Sequence, residues 1–447
     1  MAETAHNIKP QLRLYDLTMI VVGLIIGMGI FRTPSEVAQK SQIPTIFFLA
    51  WITGAVVSLI GALTFAEIGS RYPVAGGFYK IFSHCYHPTF AFMVNWITVI
   101  SNAASTAGVA IMGAEYVSPI IFPALEHSLA VKVTTISAVL ILFLINLRGI
   151  KVSARMLNVL MLIKLGMILL LISAMFFLTK EQDQITITKK DDSVNYLSAF
   201  MACFIPVFFT YGGYQQTMNF GGDVNNPQRT MPRAIFLGIM IVLIFYLAVN
   251  LSYFNVLGFD QLKLTSTLAS DISSRMFGGA AGKIISFIMF LCVMAYVNVS
   301  MMSNPRVYFA MAEDKVLPKQ FMRVNSKTQV QEWALGLFFV FILITLFLSS
   351  SFQKILEYVM FFDSISLIAA ASAIFVLRYR AKKQGEPKNI YKIFGYPFLP
   401  VFYVLIYAAV NVSVMMTNPS ASFIGFVLFL SGFPLYRIIR KYLIKAK

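Results

Sequence analysis

The sequence predicts an all-α integral membrane protein, and three observations support this prediction. Of the 447 residues, 58% are hydrophobic and only 12% are charged, whereas about a quarter of a soluble domain is charged. Apolar runs of about 18 residues or more recur along the whole chain, which is the length a helix needs to cross a bilayer. Most of the 36 lysines and arginines fall on one side of the resulting topology, as the positive-inside rule requires.

The apolar runs predict twelve membrane spans, joined by connections too short for a soluble domain. We therefore predict a single transmembrane domain over residues 1–447, a multi-pass protein of the inner (plasma) membrane with both termini cytoplasmic. The predicted spans are 14–39, 44–69, 89–117, 131–147, 156–179, 194–222, 234–257, 280–308, 333–350, 356–378, 398–416 and 421–436. Because the basic residues follow this topology, the net charge of +17 does not indicate nucleic-acid binding.

The residues that carry enzyme, metal or disulfide chemistry are few. Cys85 lies in a predicted inner loop, and Cys203 and Cys292 lie within spans, so no structural disulfide is expected. The four histidines show no metal-ligand spacing, and neither a metal nor a cofactor is predicted. The segment 278–283 is similar to a phosphate-binding loop, but it is one residue short and lacks the Ser/Thr. The sequence therefore does not predict an enzyme.

Two predicted spans contain glycine pairs at membrane depth. The first span carries Gly27-Met28-Gly29, and the sixth carries Gly212-Gly213 followed by the polar stretch 219–232. Glycine disfavours a helix, and irregular backbone at membrane depth survives only where it lines a cavity or a site. Breaks at corresponding places in two halves of a chain indicate an inverted-repeat transporter with its binding site at the breaks. Close helix packing is the alternative, and we favour it only for Gly23.

A broken helix has a specific chemistry. The second half of the helix begins with free N–H groups, which attract an anion, and the first half ends with free C=O groups, which attract a cation. An α-amino acid carries both charges about 3 Å apart and would fit between such groups. The backbone would then bind the part common to all amino acids, and nearby side chains would choose among them.

Five motifs along the chain resemble those of the amino acid–polyamine–organocation transporters, and in particular the bacterial L-type amino acid transporters. The resemblance covers residues 10 to 440. The motifs are Gly27-Met28-Gly29-Ile30-Phe31 in span 1, Pro73-Val74-Ala75-Gly76-Gly77-Phe78-Tyr79 after span 2, Phe209-Thr210-Tyr211-Gly212-Gly213 in span 6, Asn226-Pro227-Gln228-Arg229 with Pro232, Ala234 and Ile235 before span 7, and Arg306 with Ala310-Met311-Ala312, Asp314 and Pro318 after span 8. Met28 and Tyr214 replace the Ser, Thr or Ala and the Trp that the family usually has.

The resemblance implies a five-plus-five inverted repeat, with repeat one near 14–179, repeat two near 194–378 and two additional helices near 398–436. It implies a substrate site between spans 1 and 6, with walls from spans 3, 8 and 10. Amides around Met28 and Gly29 would hold the carboxylate, carbonyls of Ile25, Phe209 and Gly212 would hold the ammonium, and Phe209 would act as a gate. The predicted substrate-binding residues are Ile25, Gly27, Met28, Gly29, Ile30, Phe208, Phe209, Thr210, Tyr211, Gly212 and Gly213.

Lys164 is a charge inside the fifth span, nine residues after Arg155. Ionisable residues at this depth are costly and usually functional. In relatives without sodium coupling, such a lysine resembles a substitute for the ion, bound to carbonyls of helix 1 and to polar groups of helix 8, with Ser300 and Ser303 as candidates. It could also carry a proton. The alternative is a lysine that extends to the inner surface.

Other charges have less specific interpretations. Asp363 in span 10 is a proton site, a ligand for a cationic substrate, or a helix-packing partner. Glu115 is expected near the outer surface, Glu67 in a salt bridge of an inner gate, and Arg32 in the outer vestibule.

The sequence thus predicts a secondary amino acid transporter that works by alternating access. Sodium-independent exchange or facilitated transport of neutral L-amino acids is the first hypothesis. A proton-coupled symporter and a transporter of cationic amino acids or polyamines are the alternatives, and a channel or a sensor is a different class. The predicted outer loop 118–130 has no cysteine, so no disulfide-linked heavy chain is expected. We expect a monomer or a weak homo-oligomer in the lipid bilayer.

Overall fold

A computed structural model of the chain describes residues 8–178, 195–265, 268–278, 282–348, 352–386, 389–417 and 419–445. Within these ranges the backbone is helical or irregular, and the extended contacts are isolated bridges, Leu12 with Val224 and Ala75 with Phe220. The predicted all-α class is therefore confirmed. The predicted span and repeat ends at 179, 194, 280 and 350, and both ends of the chain, lie outside the described residues.

The helices occur in the order that the apolar runs predict. The described α-helices are α1 (Leu14–Ile25), α2 (Gly29–Ser41), α3 (Pro44–Arg71), α4 (Gly77–Cys85), α5 (Pro88–Ile121), α6 (His127–Leu147), α7 (Ile150–Phe177), α8 (Tyr196–Ala202), α9 (Phe204–Tyr211), α10 (Pro227–Leu257), α11 (Phe259–Leu264), α12 (Leu268–Phe277), α13 (Gly282–Glu313), α14 (Glu332–Leu348), α15 (Phe352–Gln384), α16 (Phe398–Thr417) and α17 (Pro419–Lys445). A 3-10 helix over Tyr214–Asn219 follows α9.

Eleven segments of the described chain are long and apolar enough to cross a membrane, with α1 and α2 forming one segment and Tyr196–Asn219 another. The remaining predicted span corresponds to α14, a shorter apolar helix of 17 residues. The total of twelve spans and the inverted relation between the two halves stay predictions.

The first span lies at the centre of the helix assembly. Helix α1 is buried from Leu17 to Ile25 and packs against α10, α7 and α13. Helix α13 packs against α5, and α3 packs against α10. By contrast, α16 and α17 carry many exposed apolar side chains, among them Phe402, Leu405 and Phe426. The backbone break in the first span therefore lies in the protein interior, where its polar groups must find partners within the protein.

Candidate functional site

The first span is broken at the predicted place. Helix α1 ends at Ile25, residues 26–28 are irregular, and α2 begins at Gly29. The amides of Ile26 and Gly27 bond back to the carbonyls of Val22, at 2.8 Å, and Ile25, at 2.9 Å. Among the described residues, none accepts a hydrogen bond from the amides of Met28, Gly29 or Ile30. Three free N–H groups therefore point out of the start of α2, which favours an anion there.

The sixth span is also broken at the predicted glycines. Helix α9 ends at Tyr211, and Gly213 has φ of 111° before the 3-10 helix begins. A methyl group at Gly213 would collide with the carbonyl oxygen of Leu24. A methyl group at Gly29 would lie 2.8 Å from the Cγ2 atom of Thr210. The two breaks are thus in direct contact, and they approach each other closely because both positions lack a side chain.

A cavity opens between the two breaks, with an empty volume of about 1190 Å³ including the part open to solvent. Nine of the predicted substrate-binding residues line it: Ile25, Gly27, Met28, Gly29, Phe208, Phe209, Thr210, Gly212 and Gly213. Two predicted residues do not. Ile30 is fully buried, and Tyr211 turns away from the cavity to pack edge-to-face against Trp51 and to donate to its carbonyl oxygen at 3.3 Å. Helical rotation by one residue explains both differences, because neighbouring side chains point about 100° apart on a helix.

Other helices complete the cavity wall with residues that the sequence did not single out. These are Leu24, Thr33 and Glu36 on the first span, Asn102, Ser105, Val109 and Met112 on α5, Pro206, Gln215 and Gln216 on the sixth span, Tyr296 on α13, Ser364 and Leu367 on α15, and Tyr407 on α16. Asn102 and Ser105, three residues apart in an apolar helix, form the one pattern that could have been found. Ser105 and Tyr296 share a hydrogen bond of 3.2 Å.

The carbonyl oxygens at the breaks differ in their availability. The oxygen of Ile25 accepts from the amide of Gly27 at 2.9 Å and from the hydroxyl of Tyr246 at 3.3 Å. Both of its lone pairs are therefore engaged, which argues against the predicted ammonium contact at Ile25 in this conformation. The oxygen of Phe209 accepts only from Gly212, at 3.1 Å, and the oxygen of Gly212 accepts no hydrogen bond from a described residue.

Lys164 reaches the first break from α7. Its side chain is completely buried, and its ammonium donates to the carbonyl oxygen of Ile26. It therefore does not extend to the membrane surface. The predicted contacts with Ser300 and Ser303 are not formed, because each serine has another partner. Ser300 shares a hydrogen bond of 2.6 Å with Thr106, and Ser303 accepts from Asn219 at 3.1 Å.

Asp363 faces the cavity from α15. Its side chain is half-buried, and among the described residues it forms neither an ion pair nor a hydrogen bond. It lies at the same wall as Tyr296 and Tyr407. A helix-packing role for Asp363 is therefore not supported. Its carboxyl group is instead placed where it could bind a proton or a cationic substrate in the cavity. Glu115 is exposed near the end of α5, as expected.

Buried ion pairs lie on the side of the protein where the described chain begins, because the amides of Gln11 and Leu12 donate to the Asp223 carbonyl oxygen. Glu67 is fully buried, binds Arg71 at 2.6 Å and Arg378 at 2.7 Å, and accepts from the amide of Ile393 at 2.8 Å. The expected salt bridge of Glu67 is thus present. Asp223, also buried, binds Arg306 at 2.6 Å. We call these two groups, with their arginines, the ionic seal.

The ionic seal continues to the protein surface through Glu386, which binds Arg71 at 3.0 Å and also binds Lys392. Hydrogen bonds from Lys392 and Arg71 hold the pKa of the Glu386 carboxyl below its ordinary value. On the opposite side, the cavity wall extends along α2 to Arg32, which is exposed, and Glu36. Arg32 was expected in the outer vestibule, and its exposed position in the cavity wall agrees with that expectation. The described lining of the cavity therefore includes the exposed Arg32 and none of the residues of the ionic seal.

The sequence was compared with known proteins. The amino acid permease family matches residues 12–435. The serine/threonine exchanger of Bacillus subtilis (strain 168) is 29% identical over 445 residues, which are 98% of each chain. The human cystine/glutamate transporter is 26% identical over 96% of this chain and 85% of its own. The large neutral amino acids transporter small subunit 2 of Rattus norvegicus is 24% identical over 96% of this chain and 80% of its own.

Two broken helices that meet at a cavity are typical of membrane transporters. The matching family and the relatives are membrane transporters, not enzymes. The chain belongs to the amino acid permease family. It resembles the bacterial L-type transporters, and its fold is that of a multi-pass membrane protein that carries amino acids.

The contact between the breaks gives a first prediction. We expect Gly29→Ala to weaken amino acid binding tenfold or more, because the new methyl group must displace Thr210, whose hydroxyl is held at 2.8 Å by the Pro206 carbonyl. Gly166→Ala on α7 is the control, since Gly166 does not line the cavity and its methyl group would have no described atom within 4 Å. Ligand-induced thermal stabilisation of both purified variants measures the effect. Equal binding by the two variants would place the site elsewhere.

The ionic seal gives a second prediction. We expect Glu67→Gln to lower the unfolding temperature in detergent, because it leaves two arginines without their buried carboxylate, a loss of about 3–5 kcal/mol. Glu386→Gln removes an exposed carboxylate from the same Arg71 and should change the stability by about 0–1 kcal/mol. Thermal unfolding followed by fluorescence compares them. If both variants unfold at the same temperature, Glu67 does not anchor the seal.

Proposed function

We propose that this transporter exchanges or facilitates the movement of neutral L-amino acids without sodium, by alternating access at the cavity between the two breaks. The observation that carries the proposal is the set of three free amides at Met28, Gly29 and Ile30 beside the carbonyl oxygens of Phe209 and Gly212. The amides would bind the α-carboxylate, and the two carbonyl oxygens would bind the α-ammonium. Ile25 would join them only after Tyr246 releases its carbonyl oxygen.

Sodium independence is supported by the position of Lys164. Its ammonium brings a fixed positive charge to the Ile26 carbonyl inside the first break. A carbonyl end of a broken helix attracts a cation, and a lysine placed there supplies one without an ion from solution. Exchange, rather than net uptake, is favoured because a similar protein is a serine/threonine exchanger.

The cellular setting completes this proposal. We place the ionic seal on the cytoplasmic side of the inner (plasma) membrane, together with both chain termini, because the predicted loops on that side hold most of the 36 basic residues. The three cysteines are free and buried, which supports a transporter without a disulfide-linked heavy chain. We propose that it works as a monomer or a weak homo-oligomer.

A reconstitution experiment tests the main proposal. We expect labelled neutral amino acids to enter proteoliposomes that are preloaded with unlabelled ones, at equal rates in sodium and potassium buffers. Lys164→Gln should reduce this uptake about 10- to 100-fold, because the buried Ile26 carbonyl loses a charged donor. Lys132→Gln, at an exposed position on α6, is the matched control. Uptake that requires sodium would contradict the proposal.

The second candidate function rests on Asp363, a carboxyl group that faces the cavity without a described partner. It would suit a proton-coupled symporter, or a transporter of cationic amino acids or polyamines, because an unpaired carboxylate inside the membrane attracts a positive charge. Under the main proposal, Asp363 contributes neither coupling nor charge selection.

The two candidates differ in the response to Asp363→Asn. We expect this variant to keep neutral amino acid exchange within about threefold of the wild type, because the amides and carbonyl oxygens at the breaks do the binding. Glu115→Gln, an exposed acid on α5, controls for the change of charge. Uptake by the wild type that a pH gradient drives, or that lysine, arginine or putrescine inhibits, combined with its loss in Asp363→Asn, would establish the second candidate.

A further inference from the structure

A second pocket lies near the C-terminal end of α17, on the same side of the protein as the ionic seal. We call it the basic pocket. It is formed where the start of α5 meets the end of α17, and it has an open volume of about 830 Å³. Its lining residues are His87, Thr89, Phe433, Tyr436, Arg437, Arg440 and Lys441. It is separate from the transport cavity, since no residue lines both.

The basic pocket concentrates positive charge that the protein does not neutralise. Arg437, Arg440 and Lys441 line it, none of its described lining residues is acidic, and no described residue forms an ion pair with any of the three. The pocket also adjoins the N-terminus of the 34-residue helix α5, where Pro88 has no N–H and the Thr89 amide donates to Nδ1 of His87 at 3.2 Å, so the helix contributes only the positive potential of its dipole. By contrast, the two arginines Arg306 and Arg378 of the ionic seal each form an ion pair with a buried carboxylate.

Aromatic rings hold two of the cations in place. The guanidinium of Arg437 lies 4.4 Å from the ring centre of Phe433, and that of Arg440 lies 5.9 Å from the ring centre of Tyr436 and donates to its hydroxyl at 3.3 Å. Tyr436 is itself buried against Phe92. The cations are therefore oriented before a ligand arrives, which lowers the entropy that binding must offset.

We propose that the basic pocket binds the phosphate of an anionic phospholipid. Unpaired arginines at a helix N-terminus suit a phosphate oxyanion, through hydrogen bonds that charge strengthens. Two observations favour a lipid over free phosphate. The last predicted span ends at residue 436 and Arg437, Arg440 and Lys441 follow it directly, so the pocket lies at the level of the head groups. Phe433 and Ile438 beside it are 40% and 53% exposed, and they offer apolar surface to an acyl chain.

Native mass spectrometry of the purified full-length protein tests this proposal. The wild type, stripped of lipid by detergent, is titrated with phosphatidylglycerol, with phosphatidylcholine and with inorganic phosphate. We expect one phosphatidylglycerol to bind more tightly than phosphatidylcholine. Replacing Arg437, Arg440 and Lys441 together by Gln should weaken it roughly 100-fold, about fivefold for each cation. A matched variant, Lys319→Gln, Arg323→Gln and Lys327→Gln, removes three exposed cations elsewhere and should bind as the wild type does.

Three outcomes would overturn the proposal. Equal binding of phosphatidylcholine and phosphatidylglycerol by the wild type shows that the pocket does not select lipids by the net negative charge of the head group, and this measurement needs no variant. An equal loss of phosphatidylglycerol in the two triple variants assigns the effect to net charge. Displacement of the bound lipid by millimolar inorganic phosphate identifies the free anion as the ligand of the pocket.

Discussion

The structure depends on the partners of the backbone groups that the two helix breaks release. An unpaired amide or carbonyl group inside a membrane costs several kcal/mol, so a helix cannot be interrupted there unless the protein satisfies the exposed groups. Here Lys164 binds the Ile26 carbonyl, and Tyr246 binds that of Ile25. The amides that begin α2 remain without a described partner. In the proposed function, this asymmetry makes one end of the break a structural joint and the other the surface that binds the substrate.

The glycines serve this arrangement by contact rather than by flexibility. Gly213 brings the sixth span against the Leu24 carbonyl, and Gly29 lies against Thr210. Side chains at either position would push the two breaks apart and would separate the free amides from the carbonyl oxygens of the sixth span. In the proposed function, a zwitterion needs both groups within one small volume, so the close approach of the breaks is a condition for its binding.

The ionic seal lies on one side of this site and the open cavity on the other. Buried carboxylates at Glu67 and Asp223 each hold arginines from distant parts of the chain, on α15 and α13. Separating such pairs is costly unless water enters at the same moment, because a buried charge without a partner is unstable. The seal is thus suited to two discrete states, closed and hydrated, and alternating access requires two such states.

The sequence by itself determined the features that follow from local chemistry: the all-α class, the breaks at Gly27–Gly29 and Gly212–Gly213, and the unusual burial of Lys164. Glycine pairs and a lysine inside apolar runs are costly wherever they occur, so they can be recognised without knowledge of their neighbours. Only the tertiary structure decided the partners. In the folded protein, Ile30 and Tyr211 point away from the cavity, whereas Tyr407 lines it. Ser300 forms its hydrogen bond with Thr106, and Ser303 accepts one from Asn219. Helices of uniformly apolar composition carry no signal for their mutual rotation, and small rotations decide which side chains meet.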